Sequence, residues 1–76
     1  MKKKNIVGAR IRKARLSAKP PMTQDDLIAK LQLEGIKDID QPMLSRIESG
    51  ERLVTDYELK AFAKVLKTTA EWLLNP

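Results

Sequence analysis

The apolar residues of this chain recur every three or four residues along five successive segments. That spacing puts them on one face of an α-helix, and no segment shows the alternation typical of a β-strand. We therefore predict five helices over about residues 5–18, 24–33, 41–49, 56–66 and 70–74. Short helices with a single apolar stripe are unstable alone, so these must pack together. The predicted stripe residues are Val7, Ile11, Ala14, Leu27, Ile28, Leu31, Leu44, Ile47, Leu59, Phe62, Ala63 and Leu66.

Three of the predicted helices begin with the same local signal, a Thr or Asp cap flanked by apolar residues. The cap side chain accepts a hydrogen bond from a free amide of the first turn. The apolar residue before the cap then packs on a leucine one turn into the helix, as a hydrophobic staple. These sets are Met22-Thr23-Leu27, Ile39-Asp40-Leu44 and Val54-Thr55-Leu59, and Glu58 completes a capping box with Thr55.

The predicted helix ends are also marked. Gly35 and Gly50 follow the second and third helices, and glycine readily takes the left-handed conformation that ends a helix. At Gly35 this conformation would fold Ile36 back onto the second helix. Residues Pro20 and Pro21 cannot continue the first helix.

The composition excludes several kinds of chemistry. The chain has 76 residues, which suits one domain with a modest core, and it contains no cysteine and no histidine. Disulfides, the usual zinc ligands and a side chain that ordinarily titrates near pH 7 are therefore missing. We predict a protein that is not an enzyme and binds no cofactor or metal. The apolar run at residues 6–9 is too short for a signal peptide or a membrane span, which favours a cytoplasmic protein.

The net charge of +5 is unevenly distributed. Residues 1–19 carry eight basic groups and no acidic group, whereas the rest of the chain carries seven basic and ten acidic groups. A positive field at one end favours contact with a polyanion such as nucleic acid. A solvated tail and helix face, or an anionic membrane surface, would produce the same pattern. We divide the chain into a basic arm, residues 1–5, and a helical domain, residues 6–76.

An ordered set of motifs adds a family resemblance to this picture. The motifs are Ile11-Arg12-Lys13-Ala14-Arg15, Thr23-Gln24-Asp25-Asp26-Leu27, Leu44-Ser45-Arg46-Ile47-Glu48-Ser49-Gly50, Ala63-Lys64-Val65-Leu66 and Trp72-Leu73-Leu74. Together they resemble the Cro/C1-type helix-turn-helix family of bacterial and phage repressors. The resemblance implies an all-α, compact, five-helix lambda-repressor-like DNA-binding domain, here with an extended turn between helices 2 and 3.

The resemblance also implies roles for individual residues. The third helix would lie in the major groove, with Gln41 reading adenine and Arg46 reading guanine or holding a phosphate. Gln24 matches a position that hydrogen-bonds the phosphate backbone. The implied DNA-contacting set is Gln24, Gln41, Pro42, Ser45, Arg46 and Ser49, and the implied structural salt bridge joins Arg15 and Glu48. Each of these could instead be an ordinary solvated side chain, and Trp72 is interpreted as a packing anchor.

The sequence departs from the usual family pattern around the turn. Either residues 34–40 intervene where a turn of about three or four residues is common, or the second helix is extended, so we expect the geometry to differ there. Ile28 and Gln32 stand where the family has alanine and glycine, which puts close helix approach in doubt. Pro42 removes one polar reading side chain, and Asp40 adds a negative charge near the expected phosphates.

Two functions follow as hypotheses. The first is sequence-specific binding of double-stranded DNA as a transcriptional repressor or regulator, with a homodimer on two half-sites and a dimer contact around Trp72, Leu73 and Leu74. The alternative is an antitoxin or regulatory module that binds a protein partner, with DNA binding secondary.

Overall fold

A computed structural model describes residues 2–75 of the chain. It contains five α-helices: α1 is Gly8–Ser17, α2 is Gln24–Leu33, α3 is Gln41–Glu48, α4 is Asp56–Val65 and α5 is Ala70–Leu74. The five predicted helices are therefore confirmed, and the described part of the chain has no β-strand. None of its helices combines the length and the apolar character needed to cross a membrane.

One hydrophobic core lies at the centre of the five helices. Every helix contributes at least one buried side chain to it, and the turn between α2 and α3 adds Ile39. Helix α3 packs against α1 and α2, α5 packs against α1 and α4, and α2 packs against α4, so that each short helix buries its stripe against others. The side chains with no more than 2% exposure are Ile11, Leu27, Leu31, Leu44, Ile47, Phe62 and Leu73.

The predicted caps form at the starts of α2, α3 and α4. Thr23 accepts a hydrogen bond from the Asp26 amide at 3.0 Å, and Asp40 accepts one from the Met43 amide at 2.9 Å. The capping box of Thr55 with Glu58 is confirmed. A second box joins Thr23 and Asp26, because the Asp26 carboxylate accepts the Thr23 amide at 2.9 Å. These side chains satisfy amides that lack helical partners, and so they fix where each helix begins.

Left-handed residues end three helices in the same way. Gly35 and Gly50 have φ angles of 101° and 85° after α2 and α3, as the sequence predicted. After Gly35, the Ile36 amide donates to the Leu31 carbonyl at 3.0 Å, which folds the turn back on α2. Lys67 does the same after α4, with a φ angle of 56°. The sequence did not predict this left-handed position, because no glycine stands there.

The first helix begins later than predicted, at Gly8 instead of near residue 5. Asn5 explains the difference. Its Oδ1 accepts hydrogen bonds from the Val7 and Gly8 amides at 3.1 and 2.8 Å, while its Nδ2 donates to the Ile47 and Arg52 carbonyls at 3.1 and 2.7 Å. Residues before Gly8 are therefore held by contacts to the end of α3, and they stay outside the helix.

Gly8 lets α1 cross α3 at very close range. A Cβ atom at this position would overlap the carbonyl oxygen of Ile47 and lie 2.8 Å from that of Glu48. Both neighbours are backbone atoms at the C-terminal end of α3, so neither can move aside without displacing the helix. The glycine therefore sets the distance between α1 and the helix that carries the predicted reading face.

The extended turn between α2 and α3 is present, as predicted, and spans residues 34–40. Its backbone is not a loose loop, because Ile39 is 3% exposed and Ile36 packs against the core. Gln32 Nε2 lies 3.5 Å from the Ile39 carbonyl oxygen. A longer turn thus accompanies the bulky residues Ile28 and Gln32 of α2, and it places the apolar side chain of Ile39 in the core.

The loop between α3 and α4 is held by an ion pair. The Arg52 guanidinium donates to both Glu58 carboxylate oxygens at 3.0 Å. Burial raises the pKa of Glu58, but the hydrogen bonds from Arg52 and the Thr55 amide outweigh it and hold that pKa below its ordinary value. The Thr23 amide and hydroxyl likewise lower the pKa of Asp26.

We expect Gly8→Ala to destabilise the fold by about 1–3 kcal/mol, because the added methyl group would push α1 away from α3. Helix propensity alone would favour alanine by about 1 kcal/mol, so the sign of the change is diagnostic. Urea unfolding measures it, with Ala9→Gly, one residue along on the exposed side of α1, as the control for propensity. A stabilised Gly8→Ala variant would contradict the close approach.

We expect Glu58→Gln to weaken the acid dependence of stability. The pKa of Glu58 is lower in the folded chain than in the unfolded one, so its contribution is complete above the ordinary value of about 4.3 and is lost as the pH falls further. Denaturation between neutral and acid pH should show a shallower decline for the variant. Glu71→Gln, which alters an exposed residue of α5, should keep the slope of the parent chain; an equal slope for Glu58→Gln would be the contrary result.

Candidate nucleic-acid interface

Helix α3 presents a fixed row of polar residues to solvent. Leu44 and Ile47 are completely buried, and they attach the inner face of the helix to the core. An amphipathic helix held in this way cannot rotate about its axis, so its outer residues keep their positions. The residues of the predicted reading face that lie exposed on α3 or at its end are Gln41, Pro42, Ser45, Arg46 and Ser49.

A buried ion pair connects α3 to α1. Arg15 donates through Nε and Nη2 to the two Glu48 carboxylate oxygens at 2.8 and 2.9 Å, and the two side chains are 9% and 4% exposed. The third guanidinium donor, Nη1, reaches the Met22 carbonyl at 2.9 Å. The structure therefore brings together the two residues that the sequence analysis paired, and it adds the turn before α2 to the same contact.

The ion pair continues into the two glutamines at the starts of α2 and α3. Gln24 is half-buried, and its Nε2 donates to Glu48 Oε1 at 3.2 Å. Gln41 Nε2 then donates to Gln24 Oε1 at 2.8 Å. We call Arg15, Glu48, Gln24 and Gln41 the polar relay. It runs from a buried guanidinium to the first residue of α3, and its last hydrogen bond orients the amide of Gln41 toward Gln24.

The polar relay leaves free hydrogen-bonding groups at its exposed end. An amide side chain has two N–H donors and one carbonyl acceptor. Gln41 uses one donor on Gln24, so its second N–H and its Oε1 are available outward. Gln24 uses one donor on Glu48 and its oxygen on Gln41, so its second N–H is available beside the free amides of the α2 N-terminus.

The start of α3 carries a negative charge and little hydrogen-bonding capacity. Asp40 is exposed and caps the helix through the Met43 amide. Pro42 occupies the first turn, where a missing N–H costs nothing because such amides have no helical partner. Pro42 can offer only apolar contact to a ligand.

The other end of α3 mixes both charges. Arg46 is exposed on the outer face, whereas the Ser49 hydroxyl lies 2.6 Å from Glu51 Oε2 and 3.1 Å from the Arg46 carbonyl oxygen. Its single proton favours the carboxylate. Ser49 is therefore engaged in ending the helix, and Glu51 places a carboxylate next to the reading face.

The basic segment at the N-terminus lies against this same end of α3. The Lys4 amide donates to the Gly50 carbonyl at 2.7 Å, and the Lys3 side chain covers Gly50 closely enough to meet any added Cβ. These lysines thus sit where the negative end of the helix dipole attracts cations.

Two arginines of the first nineteen residues are used internally. Arg15 is buried in the polar relay. Arg10 lies over the Trp72 ring at 4.4 Å from its centroid and donates to the Asn75 carbonyl at 2.6 Å. Trp72 is thus half-buried as a packing contact between α1 and α5. Arg12, Lys13 and Lys19 remain exposed.

Sequence reasoning missed Asn5 and the link between the two glutamines. A single asparagine after three lysines carries no periodic signal, and its partners lie 42 and 47 positions away. Gly8 did carry a signal, since a glycine inside a predicted helix often marks close packing.

The comparisons with known proteins point to one family. A family model described as helix-turn-helix matches residues 11–73, most of the chain. A search of curated proteins and a search of solved structures each return no match.

Among residues 2–75 no group of three or more acidic side chains is arranged to hold a metal ion.

We expect Glu48→Gln to destabilise the fold by about 3 kcal/mol, because it leaves the buried Arg15 guanidinium without its counter-charge. Urea unfolding measures the loss. The double substitution Arg15→Met with Glu48→Leu should cost less than the two single changes together, because both charges are then removed from the interior. Strictly additive costs in this double-mutant cycle would show that the pair is not coupled.

Proposed function

Because the chain belongs to the Cro/C1-type helix-turn-helix family of DNA-binding regulators, we propose that it binds double-stranded DNA sequence-specifically and represses transcription. The observation that carries the proposal is the polar relay, which aims the free groups of Gln41 outward from the first turn of α3. A side chain already fixed in direction loses less entropy when it pairs with a base.

In this proposal α3 lies in the major groove and reads base edges directly. The free N–H and Oε1 of Gln41 match the N7 acceptor and N6 donor of adenine. Arg46, exposed near the far end of the same helix, suits the O6 and N7 acceptors of guanine. The Ser45 hydroxyl can donate to or accept from a base edge. Pro42 contributes apolar contact, and Ser49 contributes through the backbone turn at the end of α3.

The phosphate contacts come from α2 and from the basic segment. Gln24 keeps one N–H beside the N-terminal amides of α2, which are suited to a phosphate oxygen. The lysines of residues 2–4, which belong to the predicted basic arm of residues 1–5, flank the other end of α3. Binding through such groups releases counterions, so the observed affinity should fall steeply with added salt.

We also propose that the chain acts as a homodimer on two half-sites about one helical turn apart. The sequence suggested a dimer contact around Trp72, Leu73 and Leu74 of α5. Leu73 cannot take part in it, because that side chain has no exposed surface. A better-supported surface is formed by Leu53 and Tyr57, which are 67% and 80% exposed in the loop after α3 and the first turn of α4. Large exposed apolar side chains favour a partner there.

The second candidate is a regulatory or antitoxin-like module that binds a protein partner. Asp40 and Glu51 favour it, because both carboxylates border the reading face and repel phosphates. Under either function the chain is proposed to be non-enzymatic, to need no cofactor and to act in the cytoplasm. A stoichiometric protein partner without duplex binding at low salt would favour this second function.

Selection of bound duplexes from a random pool tests the leading proposal. We expect a recovered site with two related halves, and sedimentation should give a dimer on that site. A flat salt response, or no sequence preference in the recovered duplexes, would refute sequence-specific binding.

On the recovered site, Gln41→Ala should reduce discrimination at one base position by about 1–3 kcal/mol. Gln24→Ala should weaken all duplexes and also relax that same position in part, because Gln24 holds the Gln41 amide. Lys60→Gln, an exposed change on α4, is the control and should leave the specificity unchanged. Fluorescence anisotropy across single-base variants of the site measures both effects, and a Gln41→Ala variant with unaltered preference would remove Gln41 from the reading face.

A further inference from the structure

A large groove lies on the described surface away from the reading face. It has a volume of about 880 Å³ and runs between the end of α1, the turn before α2, the outer side of α2 and the end of α4. None of the α3 residues Gln41, Pro42, Ser45, Arg46 and Ser49 lines it. Its walls therefore belong to a second surface that the DNA-binding proposal does not use.

The groove is built from small and apolar side chains. Ala14, Ala18 and Ala29 leave room for a backbone to approach, and Met22, Val65 and Trp72 supply apolar walls. Leu33 stands at its edge and is 86% exposed. The walls are helices and turns, so no strand edge is offered there. Such a surface suits the apolar stripe of an amphipathic helix, whose anchors recur at three- and four-residue intervals.

The rim of the groove is positively charged. Lys19, Lys30 and Lys67 line it together with a single acid, Asp26. The Asp26 carboxylate is already the acceptor of the Thr23 amide in the α2 capping box. Within residues 2–75, none of the three lysines takes part in an ion pair. Lys30 interacts electrostatically with Asp26, but three lysines against one carboxylate leave the rim with an excess of positive charge. An apolar groove with such a rim selects a ligand that is apolar along one side and acidic along its flanks.

We propose that this groove docks an acidic amphipathic helix of a partner protein. Apolar side chains of that helix contact Leu33, Met22 and Trp72, while its flanking carboxylates face Lys19, Lys30 and Lys67. A second copy of this chain is the poorer occupant, because two such grooves brought together would oppose their lysine rims. The proposal concerns a site separate from the reading face, so it stands or falls independently of DNA binding.

Panning a displayed library of random peptides against the full chain tests the proposal. We expect recovered peptides with leucine-like residues at i, i+3, i+4 and i+7 and with Glu or Asp between them. The synthetic peptide should shift the emission of Trp72, the single tryptophan of the chain, and its affinity should fall with added salt. A Lys-for-Glu version of the same peptide should not bind.

Surface variants separate the groove from other sites. Leu33→Gln should weaken the peptide about tenfold, the effect of losing one buried leucine contact. The double charge reversal Lys30→Glu with Lys67→Glu should also weaken it about tenfold. Ile6→Gln and Lys60→Glu, exposed changes outside the groove, are the matched controls and should leave peptide affinity within about twofold. The recovered DNA site, measured in parallel, should bind the Leu33→Gln variant as it binds the parent chain.

Four outcomes would overturn the proposal. Recovered peptides without acidic residues, or peptides that bind the Leu33→Gln and charge-reversed variants normally, would remove the groove as their site. Self-association abolished by Leu33→Gln would identify a second copy as the occupant. A Trp72 shift produced by dodecanoate, with no peptide recovered, would identify a small anionic amphiphile instead.

Discussion

The buried contact between Arg15 and Glu48 is the interaction on which the rest of the structure depends. Removing two charges from water is costly, and their attraction offsets that cost only when the remaining donors and acceptors are also satisfied. Here the guanidinium spends three donors on Glu48 and the Met22 carbonyl, and Gln24 donates to Glu48 as well. Four segments therefore meet at one pair: α1, the turn before α2, the start of α2 and the end of α3. The geometry of these hydrogen bonds fixes the relative orientation of the four segments. Apolar packing alone does not fix that orientation.

Much of the fold could be predicted because its signals are local. A threonine or aspartate cap acts on an amide three residues away, and a left-handed glycine ends the helix that precedes it. The three caps and both glycines fall where the sequence indicated them. The buried apolar residues of each helix could be predicted from the three- and four-residue spacing alone, since a short helix has only one face to bury.

The parts that could not be predicted depend on long-range contacts. Asn5 is an ordinary polar residue until the end of α3 is brought beside it. Gly8, inside a predicted helix, signals close packing, but only the fold shows that its neighbour is the Ile47 carbonyl. The family resemblance suggested separate roles for Gln24 and Gln41 in the site, but their mutual hydrogen bond needs the two helix starts to be adjacent. The extended turn made that adjacency uncertain from sequence, because seven intervening residues allow many separations.

The net charge of this molecule does not show where its basic and acidic side chains lie relative to α3. Arg15 and Arg10 belong to the N-terminal basic cluster, but one is buried in an ion pair and the other lies on Trp72, so neither side chain extends freely into solvent. Asp40 and Glu51 stand at the two ends of α3 and oppose phosphate approach. A duplex bound there would gain its electrostatic attraction from Arg46 on α3, from residues 2–4 near the end of α3, and from the amides at the start of α2. In the proposed complex most of this attraction therefore comes from elements other than α3, and the polar relay links Gln24 at the start of α2 to Gln41 at the start of α3.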